Sequence, residues 1–99
     1  MRRRANRVDE NQAVICKALR DAGCCVLDLS AVHGGCPDLA VTEPVYPFDT
    51  LLMEIKNPEK PKADQQLTTD QLKFHAAWKG RIAIVRTVDE ALRAVRVLA

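Results

Sequence analysis

Long apolar runs, a Cys-x-x-Cys pair, internal repeats and low-complexity tracts are all missing from this sequence. A membrane-spanning helix needs about 20 predominantly apolar residues, whereas the apolar run Leu51-Leu52-Met53 is closed at once by Glu54 and Lys56. No membrane span is therefore expected. The N-terminal arginines are not followed by an apolar leader segment, because Asn6, Asp9, Glu10, Asn11 and Gln12 interrupt it, so secretion is not expected either. The four cysteines, Cys16, Cys24, Cys25 and Cys36, lack paired metal-ligand spacing and read as free thiols of a reduced, cytoplasmic protein. A zinc site built from His33, Cys36 and one of the adjacent pair Cys24 and Cys25 is the alternative, since neighbours on a strand point to opposite faces. A strong charge of one sign is also absent: the formal net charge is +2 over 99 residues. That balance permits a nucleic-acid partner without requiring one.

The chain has room for one domain, expected over residues 8–99, with 47% hydrophobic residues to fill a single core. Its positive charge is unevenly spread. Arg2, Arg3, Arg4 and Arg7 make residues 1–7 a basic arm, and Lys56, Lys60 and Lys62 load a proline-broken loop, giving two segments suited to phosphate contact. Apolar spacing predicts a helix over residues 8–22, ended at Gly23. Strands follow over 24–29 and 38–41, separated by a turn at His33-Gly34-Gly35, and a third strand runs over 50–56 after a loop holding Pro44 and Pro47. Residues 57–67, with Pro58 and Pro61, form an exposed loop. Thr68-Thr69-Asp70-Gln71 opens a helix whose apolar residues Leu72, Phe74, Ala76, Ala77 and Trp78 run to Gly80, and Trp78 reads as core. A strand over 82–85 and a last helix, opened by Thr87-Val88-Asp89-Glu90 with Leu92, Val95 and Leu98 on one stripe, complete an αβββαβα order.

Chemistry concentrates at Pro37-Asp38 and Glu54-Ile55-Lys56. Strand side chains alternate, so Glu54 and Lys56 project together beside Leu52, while Met53 and Ile55 take the other face. A buried carboxylate and ammonium must be paired, hydrated or bound to a metal. Asp38 at the entrance to the adjacent strand adds a second carboxylate. Hard cations such as Mg²⁺ favour one or two carboxylates completed by water and substrate oxygens, which makes Asp38, Glu54 and Lys56 a set suited to metal-assisted phosphodiester hydrolysis. His75 reads as a packing or solvated residue, and His33 as a turn residue.

These motifs, Gly34-Gly35-Cys36-Pro37-Asp38-Leu39-Ala40-Val41, Leu52-Met53-Glu54-Ile55-Lys56, Leu67-Thr68-Thr69-Asp70-Gln71 and Ile82-Ala83-Ile84-Val85-Arg86, resemble in residues and order a minimal stand-alone VRR-NUC domain of the PD-(D/E)xK nuclease superfamily, of phage or bacterial type. The resemblance implies an α/β (α+β), restriction-endonuclease-like αβββαβ core, a small mixed sheet flanked by helices, with a C-terminal helix added. It implies catalysis by Asp38, Glu54 and Lys56, with Gln71 beside them and Glu10 completing the site, Asp9 being a neighbouring candidate. It implies Mg²⁺ or Mn²⁺ held by Asp38, Glu54, the Ile55 carbonyl and Glu10. The expected activity is endonucleolytic cleavage of DNA, selective for branched or Holliday-junction-like structure, by a homodimer. A catalytically weak nucleic-acid-binding module and a partner-binding protein with no nucleic-acid role are the rival readings. Thr68-x-x-Gln71 also fits a capping box, in which Gln71 serves its own helix.

Overall fold

The computed structural model describes residues 10–99; the arm arginines Arg2, Arg3, Arg4 and Arg7, and Asp9, lie outside the described residues. The elements run α1 (Glu10–Asp21), β1 (Val26–Asp28), β2 (Leu39–Thr42), β3 (Thr50–Ile55), a 3₁₀ turn (Lys62–Gln65), α2 (Thr69–Ala77), β4 (Ile82–Val85) and α3 (Val88–Ala94). One mixed sheet has the order β1-β2-β3-β4, antiparallel up to β3 and parallel between β3 and β4. This is the expected α+β class, with its αβββαβ order and C-terminal helix. A parallel step needs a crossover, and that crossover carries α2.

The core lies on one face of the sheet. In α1, Gln12, Ile15, Cys16 and Leu19 are buried, the i, i+3, i+4, i+7 stripe of a half-buried helix. Ile15 and Leu19 pack on Leu39 and Val41 of β2, Leu51, Met53 and Ile55 of β3 and Val85 of β4, with Ala91 and Val95 completing the cluster. Each fully buried Leu or Ile contributes about 1.5–3 kcal/mol. Gly23, at φ +99°, closes α1: its amide donates to the Arg20 carbonyl, and the Cys24 amide to that of Leu19, the paired bonds of a left-handed helix stop.

Three local expectations are corrected. Strand β1 is shorter than 24–29, because the Asp28 carboxylate accepts from the Ser30 amide and turns the chain. Trp78 is not core: it is 43% exposed, and no residue of α2 is buried. At 100° per residue the apolar positions 72, 74, 76, 77 and 78 scatter around the helix instead of forming a stripe. Trp78 stacks on Phe74 with ring centroids 5.5 Å apart, and its indole lies against Gly80. The last helix stops at Ala94, leaving Leu98 beyond it. Arg96 adopts φ 65° there, with its amide bonded to Arg93 O and the Val97 amide to Leu92 O. The same stop that Gly23 makes is thus made by an arginine, which the sequence does not signal.

Arg96 is held in this left-handed conformation by its surroundings. Glu43, 1% exposed, pairs with Arg81 and Arg96, Arg81 also donates to the Ala94 carbonyl, and Arg96 lies over the Tyr46 ring. Glu43 follows β2 and Arg81 precedes β4, so this ion-pair cluster sits at the end of the sheet opposite Asp38 and Lys56.

Candidate active site

Asp38 stands one residue before β2, and the register Leu39↔Met53 sets it opposite Glu54. Because side chains alternate, Asp38, Glu54 and Lys56 share the face away from the α1 and α3 core. The structure brings these residues together. An Asp38 Oδ2 accepts a hydrogen bond from the Ile55 amide at 2.8 Å. Lys56 Nζ lies 3.6 Å from Glu54 Oε2, and both side chains are buried, Glu54 to 3% exposure.

Gln71, in the first turn of α2, joins the group. Its Nε2 donates to Glu54 Oε2 at 3.2 Å, and its Oε1 accepts from Lys56 Nζ at 2.9 Å. The same Oε1 accepts from the Thr68 amide at 2.9 Å, while the Gln71 amide donates to Thr68 Oγ1 at 3.2 Å. Gln71 is therefore both half of a reciprocal capping box and the bridge between carboxylate and lysine. The capping box and the place beside Glu54 and Lys56 thus coexist in one side chain.

Gly35 fixes how closely α2 approaches. A Cβ on Gly35 would fall 2.3 Å from the Asp70 carbonyl oxygen, and the residue has φ +79°. Glycine is required twice over, for space and for the positive φ, and the Gly34-Gly35 turn that leads into Asp38 thereby seats the helix that carries Gln71.

The electrostatics of the carboxyl pair are strained in the direction a cation relieves. Burial and the neighbouring Asp38 charge push the Glu54 carboxyl up to about 7, with Lys56 pulling the other way. Burial also raises Asp38, against the opposing Ile55 amide bond. Glu54 Oε1 is buried and has no hydrogen-bond partner among the described residues. Two carboxyls that resist joint ionisation, one with an orphaned oxygen, fit a hard divalent ion, and Asp38 and Glu54 are the residues that would hold it. The Cys36 thiol beside them is raised by burial and by the Glu54 and Asp38 charges, which keeps it a neutral thiol. His75 is lowered by burial and by the Lys56 charge.

The other sequence candidates fall around this centre. Glu10 is exposed at the first residue of α1, and among the described residues no three acidic, histidine or cysteine side chains stand close enough to share an ion. Among the described residues no hydrogen bond or ion pair joins Glu10 to Asp38 or Glu54. The residue of α1 that does reach this region is Asn11, whose Nδ2 donates to the Lys56 carbonyl at 3.2 Å and the Arg86 carbonyl at 3.1 Å, tying together the ends of β3 and β4. Sequence reading passes over it, because an asparagine in a first helical turn has no distinctive pattern. Lys60 and Lys62 are exposed on the loop after β3, and Lys60 lines a cavity with Ile55, Lys56, Asn57 and Asp64.

Among the described residues no helix is long and apolar enough to cross a membrane. Comparisons with protein-family models, with curated proteins and with solved structures each find no match to this chain.

Proposed function

We propose that this chain is a divalent-metal-dependent endonuclease that hydrolyses DNA phosphodiesters, of the VRR-NUC kind that its motifs resemble. The observation that carries the reading is half-buried Asp38 set beside buried Glu54 and Lys56, the last two bridged by Gln71, with Glu54 Oε1 unpartnered among the described residues. Buried charge of this kind is costly unless it is paired, and carboxyls perturbed by burial and a specific charge partner are candidates for a functional site.

A Mg²⁺ or Mn²⁺ ion bound there would neutralise charge on the scissile phosphate and acidify a water. Asp38 and Glu54 are the residues that would hold it. Lys56, kept in position by Gln71 Oε1, orients the attacking water and stabilises negative charge developing on the phosphoryl oxygens. Asn11 and the Ile55 amide keep the backbone around these groups fixed. The small surface of the chain favours reading DNA shape over base sequence, so branched DNA in a phage-infected or bacterial cytoplasm is the proposed substrate. A homodimer would present paired sites to a two-fold junction; a light-scattering mass of one chain at micromolar concentration argues against it.

The test is cleavage of labelled four-way junction, flap, duplex and single-stranded DNA with Mg²⁺, Mn²⁺ or EDTA, beside Asp38→Ala and Lys56→Ala. Metal-dependent cutting by the wild type, lost in both variants, supports the enzyme. Salt-sensitive binding without cutting by a folded wild type would instead identify a nucleic-acid-binding module.

A further inference from the structure

Beside Lys56, one strand over, lies Arg86, which closes the Ile82-Ala83-Ile84-Val85-Arg86 motif but is given no role by the motif reading or by the site chemistry above. Ile55 pairs with Val85 in the parallel β3 and β4 ladder, and the Lys56 amide continues it by donating to the Val85 carbonyl at 2.9 Å. Lys56 and Arg86 therefore occupy the next rung, on strands about 4.8 Å apart.

Arg86 is fixed at three points. Its amide donates to Glu90 Oε1 at 2.7 Å, its carbonyl accepts from Asn11 Nδ2 at 3.1 Å, and its Nε donates to Gln65 Oε1 at 3.4 Å. Gln65 is itself anchored, its Nε2 donating to the carbonyls of Pro58 and Lys60 at 3.2 and 2.8 Å. The loop after β3 and the arginine after β4 thus hold each other in place.

Arg86 is half-buried, and its guanidinium has no acidic partner among the described residues. Asp89 and Glu90 are the acids nearest in sequence; Asp89 makes no ion pair with Arg86 among the described residues, and Glu90 Oε1 accepts from the Arg86 backbone amide. With its Nε edge turned toward Gln65, the planar guanidinium keeps its outer nitrogens for a bidentate acceptor such as a phosphate. Lys60, on the loop that Gln65 organises, lines the cavity that also holds Lys56.

We infer that Arg86, oriented by Gln65 and seconded by Lys60, binds a backbone phosphate of the nucleic acid next to the one presented to Asp38 and Glu54. This rests on the phosphodiester reading of the site and adds to it a specific anion subsite. Asn11 links the two, since one amide group holds the carbonyls of both Lys56 and Arg86 and so sets the spacing between the reacting phosphate and its neighbour.

The test is equilibrium binding of fluorescein-labelled duplex and four-way-junction DNA in EDTA, where cleavage does not intrude, across a salt series. Arg86→Ala is expected to weaken binding on the order of tenfold and to make the log K against log salt slope shallower by about one. Arg86→Lys restores the slope but only part of the affinity, because the fork is lost. Arg93→Ala, which removes an exposed charge from α3, leaves both unchanged. Should Arg86→Ala not fold, Gln65→Ala takes its place: it keeps the charge and the slope while lowering affinity.

Binding by Arg86→Ala with wild-type affinity and slope overturns the subsite, as does an equal loss in Arg93→Ala. If the wild type cuts DNA while Arg86→Ala binds normally, only the subsite fails. If the wild type neither binds nor cuts, the phosphodiester reading fails and the subsite with it.

Discussion

Gln71 carries two loads on one side-chain amide, and substitutions can separate them. Gln71→Ala removes half the capping box together with the partners of Lys56 and Glu54, and is expected to lower stability by about 1–3 kcal/mol and cleavage by about ten- to a hundredfold. Gln71→Glu retains a capping-box acceptor and a partner for Lys56 but sets a second carboxylate against Glu54 Oε2. Melting temperature near wild type with depressed cleavage is the expected result, read by thermal melts beside cleavage rates. The Glu54 carboxyl gives a pH prediction. Its folded value, pushed up to about 7 from 4.5, means that the folded protein binds more protons than the unfolded chain between those limits. Stability without metal therefore falls as pH rises from about 4.5 to about 7 and is level above. Thermal melts in EDTA should show this decline, and Glu54→Gln should flatten it. A cation competes with the same proton, so Mn²⁺ affinity measured by calorimetry should rise over that interval. The carboxylate and lysine constellation was legible in the sequence because strand alternation is local. Asn11 and Arg86 were not, because their bonds span 45 and 75 residues and leave no neighbouring pattern.

The helices differ in what holds them. α1 is seated by an apolar stripe and stopped by a glycine, and both features are visible in its residues. α2 is seated by polar contacts and by the Gly35 approach, so apolar counting misjudged which of its side chains are covered and set Trp78 in the core. Gly35→Ala follows from this: φ +79° and a contact of 2.3 Å with the Asp70 carbonyl require α2 to shift. The left-handed conformation alone costs about 1–2 kcal/mol. Displacing Gln71 from Glu54 and Lys56 should reduce cleavage by more than that stability loss accounts for. Urea unfolding of Gly35→Ala beside its turnover checks both. In α3 the helix stop depends on ion pairing around Arg96, remote in sequence, which is why the apolar stripe pointed past Ala94 to Leu98.

Across the whole molecule, the sheet has a chemical pole and a structural pole. Asp38, Glu54 and Lys56 gather at one end of the strands, Glu43, Arg81 and Arg96 at the other, and the apolar core joins them on the α1 and α3 face. Element order and fold class were readable because alternating strands and capped helices announce themselves locally. The ion-pair pole was invisible, because a glutamate after a strand looks solvated until a helix end folds over it. Glu43→Ala leaves Arg81 and Arg96 without their carboxylate and should cost about 1–3 kcal/mol, less than for a fully buried pair because both arginines are more than a third exposed and screened by solvent. With folding maintained at low temperature, metal affinity at the far pole should stay within twofold of wild type. Calorimetric unfolding and Mn²⁺ titration of that variant check the two halves of this expectation.

Because α2 buries none of its residues, its first turn opens more readily than the core beneath the sheet. Each opening releases Gln71 from Glu54 and Lys56 together, so the assembled centre is one state of a helix-fraying equilibrium. Native-state hydrogen exchange should find the Gln71 and Leu72 amides, bonded to Thr68, exchanging in concert at a free energy below that of global unfolding. Mn²⁺ should slow both by the factor that separates its affinity for the closed and the frayed helix. A helix cap would then act as the occupancy gauge of a cation site.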